Sequence, residues 1–281
     1  MTASLLGRRV LLIRPADKGR VDDPLLTALR AAGAQTTALA STRFAPPADE
    51  AALTHTRAQL EAGGVWDWAV FTSPRAVAAL APATAAPWPG LRVAAVGPVT
   101  AAALGRAGQT CELALEAGGA AALGRALAPR LTKGARVLLP LGNLARSDLA
   151  DALVGSGALA QRVEAYRTFA SPLAAADLAA FENRPDVILF TSGSGAAALL
   201  AGLGEQGLAL PLGSVIACLG PRTARDLAAL GLRVDVVIPA TSGAALVAAL
   251  AEALAALVPS PISTARQPRP AAALAPPPRG A

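Results

Sequence analysis

The chain has 281 residues and a formal net charge of +6, with 53% hydrophobic but only 3% aromatic residues. That length admits one large domain or two ordinary ones, and alanine and leucine must fill most of the core, which favours helices laid over sheets. Lysine occurs only at 18 and 133, arginine is scattered, and neither a long basic block nor an aromatic-plus-basic stripe is present, so no nucleic-acid partner is expected and a polyanionic small molecule suits the charge at least as well.

Short apolar runs alternate with Ala/Leu-rich stretches, the pattern of parallel sheets buried on both faces. In chain order the strand candidates are 8–13, 35–40, 66–71, 92–96, 110–115, 136–140, 160–166, 186–191, 214–219 and 233–238. Helical stretches follow most of them. Three of these end at Gly33, Gly108 and Gly231, where a helix C-terminus favours glycine. Segments 41–47 and 165–172 break the rhythm with isolated Ser, Thr, Phe and Pro and read as crossings between two lobes. From Pro259 the chain is Pro, Ala, Ser and Arg without periodicity, a composition that predicts a disordered tail over 259–281.

The chain also repeats itself. Arg9-Val10-Leu11-Leu12 returns as Arg136-Val137-Leu138-Leu139, Phe71-Thr72-Ser73 as Phe190-Thr191-Ser192, and Gly97-Pro98-Val99-Thr100 as Gly220-Pro221-Arg222-Thr223. The offsets are 127, 119 and 123 residues, so an α/β unit is duplicated. Both copies put hydroxyls and glycines where a strand hands over to a helix, the edge at which open parallel sheets bind ligands. Two such edges facing one another make a cleft.

The usual catalytic apparatus is sparse. His55, the one histidine, sits in a polar amphipathic stretch and reads as a solvated helix residue. Cys111 and Cys218 lie in separate repeats without ligand spacing, so neither a metal site nor a disulfide is expected and a reducing compartment is. Asp67 and Asp186 mark strand entry. There is no P-loop, no dinucleotide fingerprint and no nucleophile elbow, so no cofactor is expected. The N-terminus shows no apolar signal core, and no uncharged run is long enough to span a bilayer, so the expectation is a cytoplasmic chain with no membrane partner. What remains is a set of hydroxyls: Thr72, Ser73, Thr100, Thr191, Ser192 and Thr223. Each taken alone reads as a helix N-cap. As a twice-repeated set on one sheet edge they read as an anion site, built to bind and shape a substrate rather than attack it.

At these residues the chain resembles the uroporphyrinogen-III synthase family. The matching elements are Val10 to Pro15, Phe71 to Val77, Val96-Gly97-x-x-Thr100-Ala101, Leu138-Leu139-Pro140-x-Gly142-Asn143-x-x-Arg146, Val163-x-x-Tyr166-x-Thr168, Phe190-Thr191-Ser192 and Gly220-Pro221-x-Thr223-Ala224. The resemblance implies an α/β fold of two flavodoxin-like parallel-sheet lobes joined by a two-stranded linker, with the active site in the interlobe cleft. One lobe takes 1–40 plus 170–257, the other 44–167, and 41–47 with 165–172 form the linker.

It further implies a cofactor-free, monomeric lyase. Its substrate is hydroxymethylbilane, which is cyclised to uroporphyrinogen III with loss of water and inversion of the last pyrrole ring. By the same resemblance Tyr166 is the proton donor to the leaving hydroxyl, and Thr100 and Thr223 line the cleft. Arg14, Thr72, Ser73, Arg146, Thr191 and Ser192 complete the expected substrate-binding set. Two departures stand out: Leu141 where many members carry a polar or basic residue, and Arg222 where others have a small one. The alternative is a non-catalytic two-lobed binding protein for an anionic small molecule. A flavodoxin-type FMN protein ranks lower, because the loop Arg14 to Gly19 is poor in Ser and Thr.

Overall fold

The computed structural model describes residues 4–16, 23–115, 119–239 and 242–256. The expected tail over 259–281 lies outside them. Strand and helix alternate: β1 (Arg9–Pro15), α1 (Pro24–Ala31), β2 (Gln35–Ala45), α2 (Glu50–Ala62), β3 (Trp68–Phe71), α3 (Pro74–Leu80), β4 (Arg92–Val96), α4 (Pro98–Arg106) and β5 (Cys111–Leu115). There follow α5 (Gly119–Leu127), β6 (Arg136–Gly142), α6 (Asp148–Gly155), β7 (Leu159–Ala170), α7 (Ala175–Glu182), β8 (Val187–Phe190), α8 (Gly193–Glu205), β9 (Val215–Leu219), α9 (Gly220–Ala229), β10 (Val236–Ile238) and α10 (Gly243–Ala256).

The strands lie side by side in the order β10-β9-β8-β1-β2-β7-β6-β3-β4-β5. Every neighbouring pair is parallel except β2 with β7, which is antiparallel, so this is an α/β chain with a mixed sheet. The order on one side of that seam (β2-β1-β8-β9-β10) is repeated on the other (β7-β6-β3-β4-β5), element for element. Hydrophobic packing respects the same division. Two apolar clusters draw only on residues 53–166, and two only on 5–39 and 173–254.

Strand entry is stapled alike in both halves. The Asp67 carboxylate accepts from the Arg136 amide at 2.8 Å, and the Asp186 carboxylate from the Arg9 amide at 2.7 Å. Each aspartate precedes one strand and fixes the first residue of its neighbour, the structural role its position indicates.

β2 and β7 outgrow their sheets. They run 11 and 12 residues, against 7 in β1 and 4 in β3. Their ends pair as Thr42↔Ala170, Arg43↔Phe169, Phe44↔Thr168 and Ala45↔Arg167. The segments read as crossings are therefore continuations of sheet strands. Each strand is bulged just before it leaves its sheet. The β1–β2 register passes over Ser41 (Arg14↔Ala40, then Pro15↔Thr42), and the β6–β7 register passes over Ala165 (Leu141↔Glu164, then Gly142↔Tyr166). A bulge re-aims the strand at the cost of one unpaired residue.

Gly108, at the end of α4, has φ +77° and lies under the loop that leads to β4. A Cβ there would meet the Ala85 carbonyl oxygen at 1.8 Å. Buried Gln109 pins that loop, donating to the carbonyls of Ala86 and Ala107 and accepting from the Trp88 amide, each at 2.9 Å. Gly134 has a similar φ of +80° with open space around it. Gly134→Ala should cost about 1–2 kcal/mol of backbone strain. Gly108→Ala should cost clearly more, because the loop must move as well. Urea midpoints check this, and equal losses for the two variants would contradict it.

Candidate active site

The expected residues gather at the carboxyl ends of the strands in both halves. Thr72 and Ser73 follow β3, Thr100 lies in the first turn of α4 after β4, and Arg146 follows β6. Across the seam, Arg14 is near the end of β1, Thr191 and Ser192 follow β8, and Thr223 lies in the first turns of α9 after β9. Tyr166 stands on β7 where it leaves its sheet. Because β2 and β7 run on beyond these ends, they join the two edges.

The hydroxyls divide by role. Ser73 and Ser192 are true caps: their Oγ atoms accept from the amides of Arg75 and Gly195, both at 3.1 Å. Thr191 donates through Oγ1 to the Ile13 carbonyl at 3.0 Å and ties β8 to β1. Thr72 precedes the Ser73 cap and is half-buried. Thr100 and Thr223 depart from the capping expectation. The Gly-Pro pairs ahead of them start α4 and α9 early, since proline suits the first helical position and Gly97 and Gly220 adopt φ of +79° and +75°. Both threonines therefore fall inside the helix, at 3% and 7% exposure, and neither helix start carries a side-chain cap bond. The two buried threonines thus stand at equivalent places in the two halves, neither with a capping duty.

The arginines also divide. Arg14 forms an ion pair with Asp23, whose other carboxylate oxygen caps α1 by accepting from the Leu25 amide at 2.8 Å. Its side chain is 15% exposed, so it binds β1 to α1 as well as facing the edge. Arg146 is 66% exposed and lies 3.9 Å from Asp226 on α9, an ion pair that reaches from one half to the other. Asp226 in turn packs on Gly193 at the start of α8, where an added Cβ would come within 2.3 Å of it. No sequence signal marked Asp226, because only the seam brings α9 to the loop after β6.

Tyr166 is the most constrained of the expected residues. Its ring lies on Gly142, where a Cβ would stand 2.8–3.0 Å from Cζ, Cε2 and Oη. The Phe44 ring meets it edge-on, with centroids 5.9 Å apart at 70°. Asn143 holds the backbone on both sides of the ring. Its amide donates to the Tyr166 carbonyl at 3.2 Å, and its side chain accepts from the Thr168 amide at 2.8 Å and donates to the Thr168 carbonyl at 3.3 Å. The Gly142-Asn143 pair was visible in the sequence as a motif, but not as the seat of the tyrosine.

His55 is exposed on α2 and shares a 3.0 Å hydrogen bond with Gln59, as a solvated helix residue does. Burial pushes both thiols above the ordinary cysteine value, and neither Cys111 nor Cys218 is in a disulfide. No group of three or more metal-ligating side chains occurs among the described residues. No described helix is long and apolar enough to cross a membrane. Two hollows, of about 250 and 270 Å³, lie beside Asn183 and between α2 and β7 and include none of the expected residues. The expected residues, rather than these hollows, define the candidate site.

Fold and site together define a duplicated α/β protein with paired strand–helix edges. The uroporphyrinogen-III synthase HemD family profile matches residues 23–248. The chain belongs to the uroporphyrinogen-III synthase family, which consists of cofactor-free cyclising lyases. Among solved structures it is similar to a mutant uroporphyrinogen III synthase from the extremely thermophilic bacterium Thermus thermophilus. That match has a TM-score of 0.62 and 18% identity, over 89% of this chain and 100% of the other. It is similar also to the uroporphyrinogen-III synthetase of Helicobacter pylori, with a TM-score of 0.57 and 18% identity over 87% and 99%. At that identity the likeness speaks for the fold. No curated protein matches the chain.

Gly142→Ala should move the tyrosine while leaving the fold nearly untouched, because the clashing atoms are the free end of a side chain. Turnover should fall while the melting temperature stays nearly constant. An unchanged turnover would show that the seat of the ring does not matter.

Proposed function

We propose that the chain cyclises hydroxymethylbilane to uroporphyrinogen III, using the two strand–helix edges as one site. The observation that carries this is the family match, which spans both halves of the site from residue 23 to 248. In this reading residues 1–40 with 170–257 act as one lobe, residues 44–167 as the other, and 41–47 with 165–172 as the linker between them. Both halves of the site come from one chain, so a monomer suffices.

The chemistry follows from what the site offers. A flexible bilane closes spontaneously without inverting its last ring, so the enzyme must hold the ends in the arrangement that favours attack at the other carbon. Confinement of that kind lowers the barrier by prepaid entropy. The N-terminal ends of α3, α4, α8 and α9 and the arginines Arg14 and Arg146 supply positive potential for the substrate's carboxylates. Tyr166 hands its phenolic proton to the departing hydroxyl, so water leaves rather than hydroxide. Thr100 and Thr223, buried and uncapping, contact the bound tetrapyrrole from the two lobes.

The decisive assay supplies enzymatically generated hydroxymethylbilane and separates the product isomers. Isomer III credits the enzyme. Isomer I alone at the spontaneous rate, together with tight binding of the bilane, would establish the two-lobed binding protein instead.

Tyr166→Phe should lower kcat by up to about 10²–10⁴-fold, the usual range for general-acid assistance, with little change in melting temperature. Parallel loss of stability and activity would leave only a packing role.

Because Thr100 and Thr223 are not caps, valine is the informative replacement, keeping the shape and removing the hydroxyl. Thr223→Val should keep the fold and lower kcat/KM, Thr223→Ser should retain most activity, and Thr100→Val should act in the same direction. Full isomer-III synthesis by the double valine variant would remove both threonines from the site.

A further inference from the structure

We infer that Phe44, held in place by Arg75, is the positioning residue for the Tyr166 hydroxyl. The inference rests on the proposed role of Tyr166. Phe44 lies at the middle of the seam, opposite Thr168, and shares a face of the ladder with Tyr166 two residues away. Its ring meets the tyrosine ring edge-on, at 5.9 Å and 70°, while Gly142 lies against the same ring. On the Phe44 face sits the Arg75 guanidinium, 3.5 Å from the ring centroid. Arg75 belongs to α3, and its own amide is fixed by the Ser73 cap at 3.1 Å.

These contacts form a chain. The Ser73 cap sets the first turn of α3, that turn lays Arg75 on Phe44, and Phe44 sets the tyrosine. A cation over an aromatic face is attracted by the ring's quadrupole, and an edge-on ring pair is favoured by the same charge distribution. The arrangement is directional: a leucine at 44 fills space but offers neither the face nor the edge. The chain also crosses the seam, since Phe44 sits on β2 and Tyr166 on β7. The pose of the tyrosine is thereby tied to correct joining of the two halves.

The test pairs kinetics with a signal that is independent of catalysis. Tyr166 is the only tyrosine, so biosynthetic 3-fluorotyrosine places one fluorine label in the full chain. The wild-type protein should give one narrow ¹⁹F resonance. In Phe44→Leu it should shift and broaden as the ring samples other rotamers. On isomer-III formation Phe44→Leu should lower kcat by about tenfold to 10²-fold, as misplacement of a reacting group does, with KM within about twofold. Phe44→Tyr, assayed without label, should restore most of kcat. Arg75→Met should show a weaker form of the same kinetic and spectral changes, and Arg75→Lys should reverse part of them. An unchanged resonance and kcat in Phe44→Leu would overturn the inference, as would a loss of kcat that simply tracks unfolding. If the resonance changes as described but Tyr166→Phe keeps full kcat, the role of Tyr166 in the chemistry is at fault and the positioning contact stands.

Discussion

The antiparallel pairing of β2 with β7 is the constraint on which the rest depends. Each half has its own apolar clusters, so hydrophobic burial alone does not fix one half against the other. Four rungs, Thr42 to Ala45 against Arg167 to Ala170, make the junction, extended by the Ser171 amide donating to the Ser41 carbonyl at 2.9 Å. Because both strands are continuous with their sheets, the pairing fixes where the carboxyl-end edges lie. Every expected site residue is on those edges or on the ladder itself. The seam also covers the ends of two strands that would otherwise be edges open to pairing with other chains.

The seam has internal symmetry. Matching β2 to β7 through their registers pairs Arg43 with Arg167, Phe44 with Thr168 and Ala45 with Phe169, all at an offset of 124 residues. The observed pairing Arg43↔Phe169 is then carried onto Ala45↔Arg167, while Phe44↔Thr168 maps onto itself. The local two-fold passes through that rung. Duplication of one α/β unit thus produced its own joint, since equivalent strands meet across a self-complementary contact.

Much of this was legible in the sequence. All ten strand windows were, because runs such as Val187–Phe190 are wholly buried and must read as uninterrupted apolar segments. The duplicated hydroxyls were equally plain. How far β2 and β7 continue was not legible in the residues themselves, since Ser41-Thr42-Arg43 and Arg167-Thr168 are polar runs followed by Phe-Ala, without the alternation of a half-buried strand; only the family resemblance put a two-stranded linker there. The capping roles were half legible. Ser73 and Ser192 cap as their position implies, whereas proline at the helix start displaced Thr100 and Thr223 inward, a shift set by Gly97 and Gly220 rather than by the threonines. Phe44 escaped notice because its importance lies wholly in what stands across the seam.

Tyr166, the proposed proton donor, lies where the symmetry fails. Through the two bulges Thr42 occupies the place in β2 that Tyr166 occupies in β7, and Pro15 occupies the place of Gly142. Thr42 is buried with its hydroxyl unpartnered, while Tyr166 is half-buried. The difference follows from the residue beneath: Gly142 presents bare backbone on which a phenol ring can lie, and any side chain there would displace it. A symmetric frame offers two equivalent edges for a large anionic substrate but would give two equivalent proton donors. A reaction that expels one hydroxyl from one end of a linear molecule needs a single donor. One glycine, one tyrosine and the phenylalanine on the two-fold are enough to break the symmetry, and the remaining edge residues can stay paired.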